Sequence, residues 1–183
     1  MRKVLVTGGA GYIGSVATEV LLEAGYDVVV FDDVSQGHRE AVPAGADLVE
    51  GNLLDAEAIE RAFASHPSLE GILHFASRSL VGQSMTQPEL YLRDNVAAGM
   101  NLLAAAARHN VGKFVLSSTA NLFGDPKRIP ISEDEEIAPG SPYGEAKWWL
   151  ERALHWYERI SGLQYMALRY FNAAGASVDR RFA

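Results

Sequence analysis

Apolar residues fall along this chain in short blocks separated by polar, glycine-containing turns, with longer stretches of helical spacing between the blocks. Lys3–Thr7 reads as a buried strand followed by glycines, and Tyr12–Ala24 as a helix stopped by Gly25. Asp27–Phe31 is a second strand, nearly all valine, and Asp47–Glu50 a short third. Asp55 is placed to cap a helix running to about Ser65, with Pro67 beyond its end. Gly71–Phe75 reads as a fourth strand. From about Pro88 to His109, Leu92, Val96, Met100, Leu103 and Ala107 recur at spacings of three and four, which predicts one long helix. Phe114–Ser117 gives a fifth strand, Pro142–Ser161 a further helix and Gln164–Arg169 a sixth strand. The 124–141 segment reads as a long loop with three prolines and the acidic run Glu133–Glu136. Such loops serve as lids and binding loops, or simply as solvated surface.

The strand blocks are unbroken apolar runs, the pattern of a parallel sheet covered on both faces. With strands and helices alternating at roughly 30 residues per unit, the predicted class is α/β, a doubly wound parallel sheet in a single domain over 1–183.

Composition narrows the function. At 183 residues, 48% apolar and 21% charged, the chain is globular rather than disordered. It is long enough to bury roughly 70% of its unfolded surface. Acidic residues number 23 against 16 basic, a net charge of -7, which argues against nucleic acid or an anionic membrane as partner. There is no cysteine, hence no disulfide and no thiolate chemistry. His38, His66, His74, His109 and His155 share no metal-ligand spacing, so no metal is expected; His74, ending a buried strand, reads as structural. The longest apolar stretches, Val28–Phe31 and Leu102–Ala107, fall far short of the ~20 residues that span a bilayer. Arg2 and Lys3 are followed by only Val4–Thr7 before glycine, where a secretory signal needs roughly 7–15 apolar residues. A soluble, cytoplasmic protein is expected.

Gly8, Gly11 and Gly14 stand between the first strand and the first helix. Glycines so placed allow a tight turn, let backbone approach a pyrophosphate, and let helix pack closely on strand. The helix start then offers free N–H groups and a positive dipole end to phosphate. Asp32, at the end of the second strand, is placed to accept from an adenosine ribose and to repel a 2′-phosphate, which favours NAD over NADP. Asp33 is a possible substitute, and nearby Arg39 keeps NADP open.

Tyr143 and Lys147 lie four apart on one predicted helix and so share a face. A free phenol, with a pKa near about 10, is too weak a base at neutral pH, and an adjacent ammonium lowers it. The pair suits general acid–base chemistry. Ser117, Ser118 and Thr119 end the fifth strand, on the sheet edge where open α/β sheets bind ligands, and a hydroxyl there can hold a substrate oxygen.

Val6–Ser15, Phe31–Asp33, Glu50–Asp55, His74–Ser84, Asn95, Ser117–Gly124, Pro142–Lys147 and Leu168–Gly175 together resemble the extended short-chain dehydrogenase/reductase superfamily. Within it the chain is most similar to the UDP-glucose 4-epimerases, also called UDP-galactose 4-epimerases. The resemblance implies a Rossmann fold and an isomerase in which NAD removes a hydride from sugar C4 and returns it to the other face. Tyr143 would take the 4-hydroxyl proton, Thr119 orient the oxygen, and Lys147 bind the nicotinamide ribose and lower the phenol's pKa. The implied NAD lining is Gly8, Gly11, Tyr12, Ile13, Gly14, Asp32, Asp33, Asn52 and Leu53 on the adenosine side. It continues through Phe75, Ala76, Ser77, Asn95, Ser117, Tyr143, Lys147 and Tyr170 toward the nicotinamide. Ser79, Thr119 and Asn172 would meet the nucleotide-sugar, a UDP-hexose.

Three positions depart from the family. Thr119 stands where many members have serine, Asn52 where an aspartate meets the adenine amine, and Ser79 where some have a lysine. Members run well past 300 residues and carry a smaller C-terminal substrate domain, which the resemblance leaves without a counterpart here. The expectation is therefore a truncated form or a minimal enzyme with a relaxed or different substrate. A dehydratase of the superfamily would carry an Asp–Glu pair just after Thr119, where Ala120 and Asn121 stand. A carbonyl reductase of smaller substrates, or a non-catalytic NAD-binding or dimerisation module, remains open. Trp148, Trp149, Arg152 and Trp156 lie on faces of the last helix away from Tyr143 and Lys147. In the family the two long helices pair across a homodimer, so a homodimer is expected here.

Overall fold

The computed structural model describes residues 2–175. Positions 176–183, part of the single-domain reading of 1–183, lie outside the described residues. Six strands form one sheet: β1 (Lys3–Thr7), β2 (Asp27–Asp32), β3 (Asp47–Glu50), β4 (Leu69–His74), β5 (Lys113–Thr119) and β6 (Gln164–Tyr170). They run parallel throughout in the order β3-β2-β1-β4-β5-β6. The helices are α1 (Tyr12–Glu23), α2 (Ala56–Ser65), α3 (Val81–Ser84), α4 (Pro88–Leu90), α5 (Val96–Arg108) and α6 (Pro142–Ser161). The doubly wound parallel sheet expected from the sequence is present. The strand order reverses between β1 and β4, which opens a crevice at their carboxyl ends.

The unbroken apolar runs conceal a period of two. Val4, Val6, Val28 and Val30 face one way, toward Leu21 and Leu22 of α1. Leu5, Val29 and Phe31 face the other, toward Ile59 and Phe63 of α2, Leu102 and Leu103 of α5, and Leu150 and Leu154 of α6. Coverage is incomplete at the sheet margins. Asp47 and Glu50 of β3 are exposed, and Met166 of β6 keeps 59% of its surface. An edge strand has a neighbour on one side only, so less surrounds it.

Local signals set the helix ends. The Asp55 carboxylate accepts from the N–H groups of Glu57 and Ala58 at 2.9 and 3.1 Å, capping α2 as expected. Ser141 caps α6, Pro142 occupies its first position, and Gly162 at φ +73° ends it.

The single helix expected over Pro88–His109 is three pieces: α4, a wide π turn over Tyr91–Asn95, and α5; α3 was not anticipated. The π turn points Tyr91, Asp94 and Asn95 inward together. The Tyr91 hydroxyl donates to Gln83 at 2.7 Å, and Asp94 pairs with Arg78 and Arg93. These partners are polar, and Gln83 and Arg78 lie outside the predicted helix, so apolar periodicity cannot report them. Leu92 and Met100, both on the predicted apolar stripe, are 39% and 38% exposed. Beyond the π turn, Gly99 meets Leu150: a Cβ there would lie 2.4 Å from a leucine methyl, so α5 and α6 pack closely.

The tightest backbone contact sits at the start of α1, where a Cβ on Gly14 would fall 2.1 Å from the Gly8 carbonyl oxygen. Gly11, midway in sequence between Gly8 and Gly14, would meet nothing nearer than 3.3 Å. Gly14→Ala should therefore lower stability by about 3 kcal/mol in urea denaturation, and Gly11→Ala by far less.

Candidate active site

The crevice is assembled from the loops that leave β1, β2, β4 and β5, with the start of α6. Gly8 turns at φ +77° and donates its N–H to the Phe31 carbonyl at 3.0 Å. Gly11 donates to the Gly8 carbonyl at 3.1 Å and forms the N-cap of α1, with no side chain bonded to the helix start. The first N–H groups of α1 are thus left for a ligand, and the absent Cβ at Gly11 leaves the approach open. Ile13 is half-buried in the first turn; Tyr12 is exposed and donates its hydroxyl to the Gly175 carbonyl.

Asp32 lies at the end of β2. One carboxylate oxygen accepts the Ala10 N–H at 3.0 Å and the other the Val34 N–H at 2.9 Å. Each oxygen retains a further lone pair for a ribose hydroxyl. Asp33 is held by the Ser35 N–H at 3.0 Å and the Asn52 amide at 3.0 Å. The Asn52 carbonyl oxygen accepts the Leu54 N–H at 2.8 Å, so the side chain expected at the adenine also braces its own turn. Leu53 is 7% exposed and belongs mainly to the core.

The β4 exit packs directly on the glycine turn. Phe75 and Ala76 both donate N–H to the Thr7 carbonyl, at 2.9 and 3.1 Å. Further on, buried Asn95 clips the Arg78 backbone at two points, accepting its N–H at 2.9 Å and donating to its carbonyl at 3.0 Å. Asn95 is therefore placed to hold the loop that carries Ser77, half-buried, and Ser79, exposed.

On the other side, Thr119 accepts the Asn121 N–H at 3.1 Å. The Asn121 side chain is hydrogen-bonded to Ser141, the cap of α6. A Cβ on Gly144 would lie 2.7 Å from the Asn121 carbonyl oxygen, so the β5 exit and the α6 start interlock. This brings Thr119, Tyr143 and Lys147 together, with half-buried Ser117 on the same strand. Tyr143 is 9% exposed and Lys147 only 1%, its Nζ 5.9 Å from the Tyr143 ring centre. Burial pushes the Tyr143 phenol above its ordinary pKa, and a hydrogen bond from Thr119 partly opposes the shift. This corrects the expectation of a phenol lowered by Lys147: in the protein alone desolvation dominates. Burial also pulls Lys147 down to about 8. Tyr170, half-buried, is raised by burial, and Asn172 is exposed just beyond β6.

Beneath the site, Thr7 and His74 are hydrogen-bonded at 2.7 Å, and the His74 ring lies 6.0 Å from that of Phe114. Burial first, then the Lys147 charge, drives the His74 pKa down to about 3, so the ring is neutral.

One buried cluster escaped the sequence reading. Glu151 accepts from Ser118 at 2.5 Å and from Arg169 at 3.2 and 2.8 Å. Arg169 also reaches the Glu133 carbonyl and stacks on Phe123. The available signal was the i, i+4, i+8 series Tyr143–Lys147–Glu151: a carboxylate on a buried face requires a cation. Among the described residues no group of three or more potential ligands could hold a metal ion.

The sequence pattern of the NAD dependent epimerase/dehydratase family matches residues 4–183. The chain belongs to this family. The UDP-glucose 4-epimerase of Corynebacterium glutamicum is 48% identical over 174 residues, spanning 95% of this chain and 52% of that protein. The crystal structure of the Brucella ovis UDP-glucose 4-epimerase in complex with NAD superposes with a TM-score of 0.94 at 40% identity, over 98% of this chain and 55% of that one. The Thermotoga maritima enzyme with UDP-glucose gives 0.91 at 37% identity, over 96% and 57%. This epimerase-family chain thus spans about half the length of the relatives it matches. No helix among its described residues is long and apolar enough to cross a membrane.

Lys147 is buried without an ion-pair partner among the described residues, and the low pKa has a thermodynamic consequence. The folded protein releases the lysine proton at about pH 8, the unfolded chain at 10.5, so stability rises with pH across that window. Lys147→Met should be more stable than the unaltered chain at pH 7, by on the order of 2 kcal/mol. The difference should close as pH rises from 8 to 10.5. Denaturation of both proteins across that range measures it.

Proposed function

We propose that this chain binds NAD in the glycine crevice and acts on a UDP-hexose as a UDP-glucose 4-epimerase-type isomerase. The supporting observation is that the glycine turn and the Thr119–Tyr143–Lys147 group stand on the same carboxyl edge of one sheet. The crevice fits the coenzyme. The uncapped start of α1 suits a diphosphate, and Asp32 keeps acceptor capacity for a ribose. Bound NAD would accept a hydride from the sugar carbon and return it.

The chain's own residues handle the proton and the geometry. Tyr143 takes the sugar 4-hydroxyl proton and gives it back, with Thr119 donating to the same oxygen centre. Lys147, fixed one turn along α6, supplies positive charge that favours the phenolate, against the burial that raises the phenol. The buried Tyr143 phenol is raised in the free protein, so the phenolate that takes the sugar proton forms only after the phenol has released its own proton to solvent. Ser79 and Asn172 project from the loops after β4 and β6, where the nucleotide-sugar would lie. That the Thermotoga maritima relative is solved with UDP-glucose supports this substrate class.

The outer face of α6 exposes Trp149 (55%), Trp156 (53%) and Ile160 (81%), and Met100 of α5 is 38% exposed. A homodimer through α5 and α6 would cover them.

Four measurements test the reading. Mass spectrometry of the purified chain should find NAD, and an assay should convert UDP-galactose to UDP-glucose. Tyr143→Phe should lower turnover by about 100-fold or more while NAD affinity stays within about twofold. NAD bound with no sugar-nucleotide converted would leave a coenzyme-binding module and remove the isomerase. Trp156→Glu should shift a dimer to monomer in sedimentation; an unchanged sedimentation coefficient would exclude the α6 face.

A further inference from the structure

The segment after β2 returns to the glycine turn before leaving for β3. His38 donates its N–H to the Ala10 carbonyl at 2.9 Å, and a Cβ on Gly37 would lie 2.4 Å from that same oxygen. Asp32 holds the other side of Ala10 by accepting its N–H. The segment is thus docked against the site, and Arg39 leaves it at once, opening a 3₁₀ turn over Arg39–Ala41. The Arg39 guanidinium is ion-paired with Glu50 at the end of β3. Glu50 stands opposite Asp32 in the β2–β3 register.

The strand ends where Asp32 would meet an adenosine ribose therefore carry three carboxylates, Asp32, Asp33 and Glu50, of which Glu50 holds the guanidinium of Arg39. Asp32 and Asp33 cannot turn away, because backbone N–H groups hold both. The Arg39 and Glu50 side chains are 61% and 44% exposed, and an ion pair that open adds little to folding stability. Its effect falls instead on what the neighbouring site will accept. A 2′-phosphate on the ribose is recognised by a nearby arginine, in the bidentate geometry that a guanidinium offers to phosphate and carboxylate alike. Glu50 already occupies the one on Arg39.

We propose that Glu50 is a coenzyme-selecting residue. By engaging Arg39 it withholds the cation that a 2′-phosphate would recruit, and so enforces a 2′-hydroxyl coenzyme. The proposal rests on the glycine crevice being an NAD site, and goes beyond it by assigning the discrimination to a pair outside the ribose-binding aspartate.

The test is equilibrium binding of NAD and of NADP to the purified chain at low ionic strength, where exposed charges are least screened. The unaltered chain should prefer NAD. Glu50→Gln should narrow the NAD-to-NADP affinity ratio by about tenfold, chiefly through a gain for NADP. The double variant Glu50→Gln, Arg39→Met separates a freed cation from mere loss of negative charge. If Arg39 carries the effect, the double variant restores the preference of the unaltered chain. An unchanged ratio in Glu50→Gln overturns the proposal, and so does a ratio that stays narrowed in the double variant. If the unaltered chain binds neither coenzyme, the NAD reading itself fails and this proposal with it. Unchanged melting temperatures verify that both variants fold.

Discussion

Between Gly8 and Gly14 the start of α1 lies so close to the end of β1 that no methyl group fits, and the crevice is organised around that contact. A Cβ on Gly8 would strike the Ala76 backbone at 2.5 Å, so the β4 exit is pressed against the same turn. Its N–H groups close on the Thr7 carbonyl, while Asp32 and His38 bracket Ala10 from the β2 side. Three strand exits thus converge on four residues of backbone. Widening the Gly8–Gly14 gap would displace all of them at once, together with the helix start that faces the ligand.

The far side of the crevice is held by a different device. There α6 is tied to β5 and β6 by polar side chains: Ser141 to Asn121, Ser118 to Glu151, and Glu151 to Arg169. A buried ion pair seldom adds more stability than well-packed apolar side chains of similar size. What this one supplies is direction. It fixes the rotation of α6 about its axis, and that rotation sets where Tyr143 and Lys147 point from the same face. Lys147 itself is destabilising, a cation enclosed with no ion-pair partner among the described residues, and His74 beneath it stays neutral. The surrounding apolar core offsets the cost.

Charge is distributed unequally along the crevice. Asp32, Asp33 and Glu50 lie at the β2–β3 end and Lys147 at the β5–α6 end, with neutral His74 near the latter. A ligand with hydroxyls at one end and a group that gains negative charge at the other is complementary to this gradient.

The amino-acid order by itself determined the parallel sheet, the positions of its six strands, the glycine turn and the pairing of Tyr143 with Lys147. Each is a matter of spacing within one segment: apolar runs, a glycine triplet after a strand, two side chains four apart on a helix. The family followed from the same segments. What the tertiary structure alone decided depends on residues remote in the chain. The helix expected over Pro88–His109 is interrupted by a π turn, from which Tyr91, Asp94 and Asn95 meet Gln83 and Arg78. The Tyr143 phenol moved up rather than down because enclosure by the fold outweighs the hydrogen bond from Thr119. Glu151 found Arg169, and Glu50 found Arg39, across strands that no local pattern connects. Desolvation and long-range ion pairing are properties of enclosed volume, and volume exists only once the chain has folded.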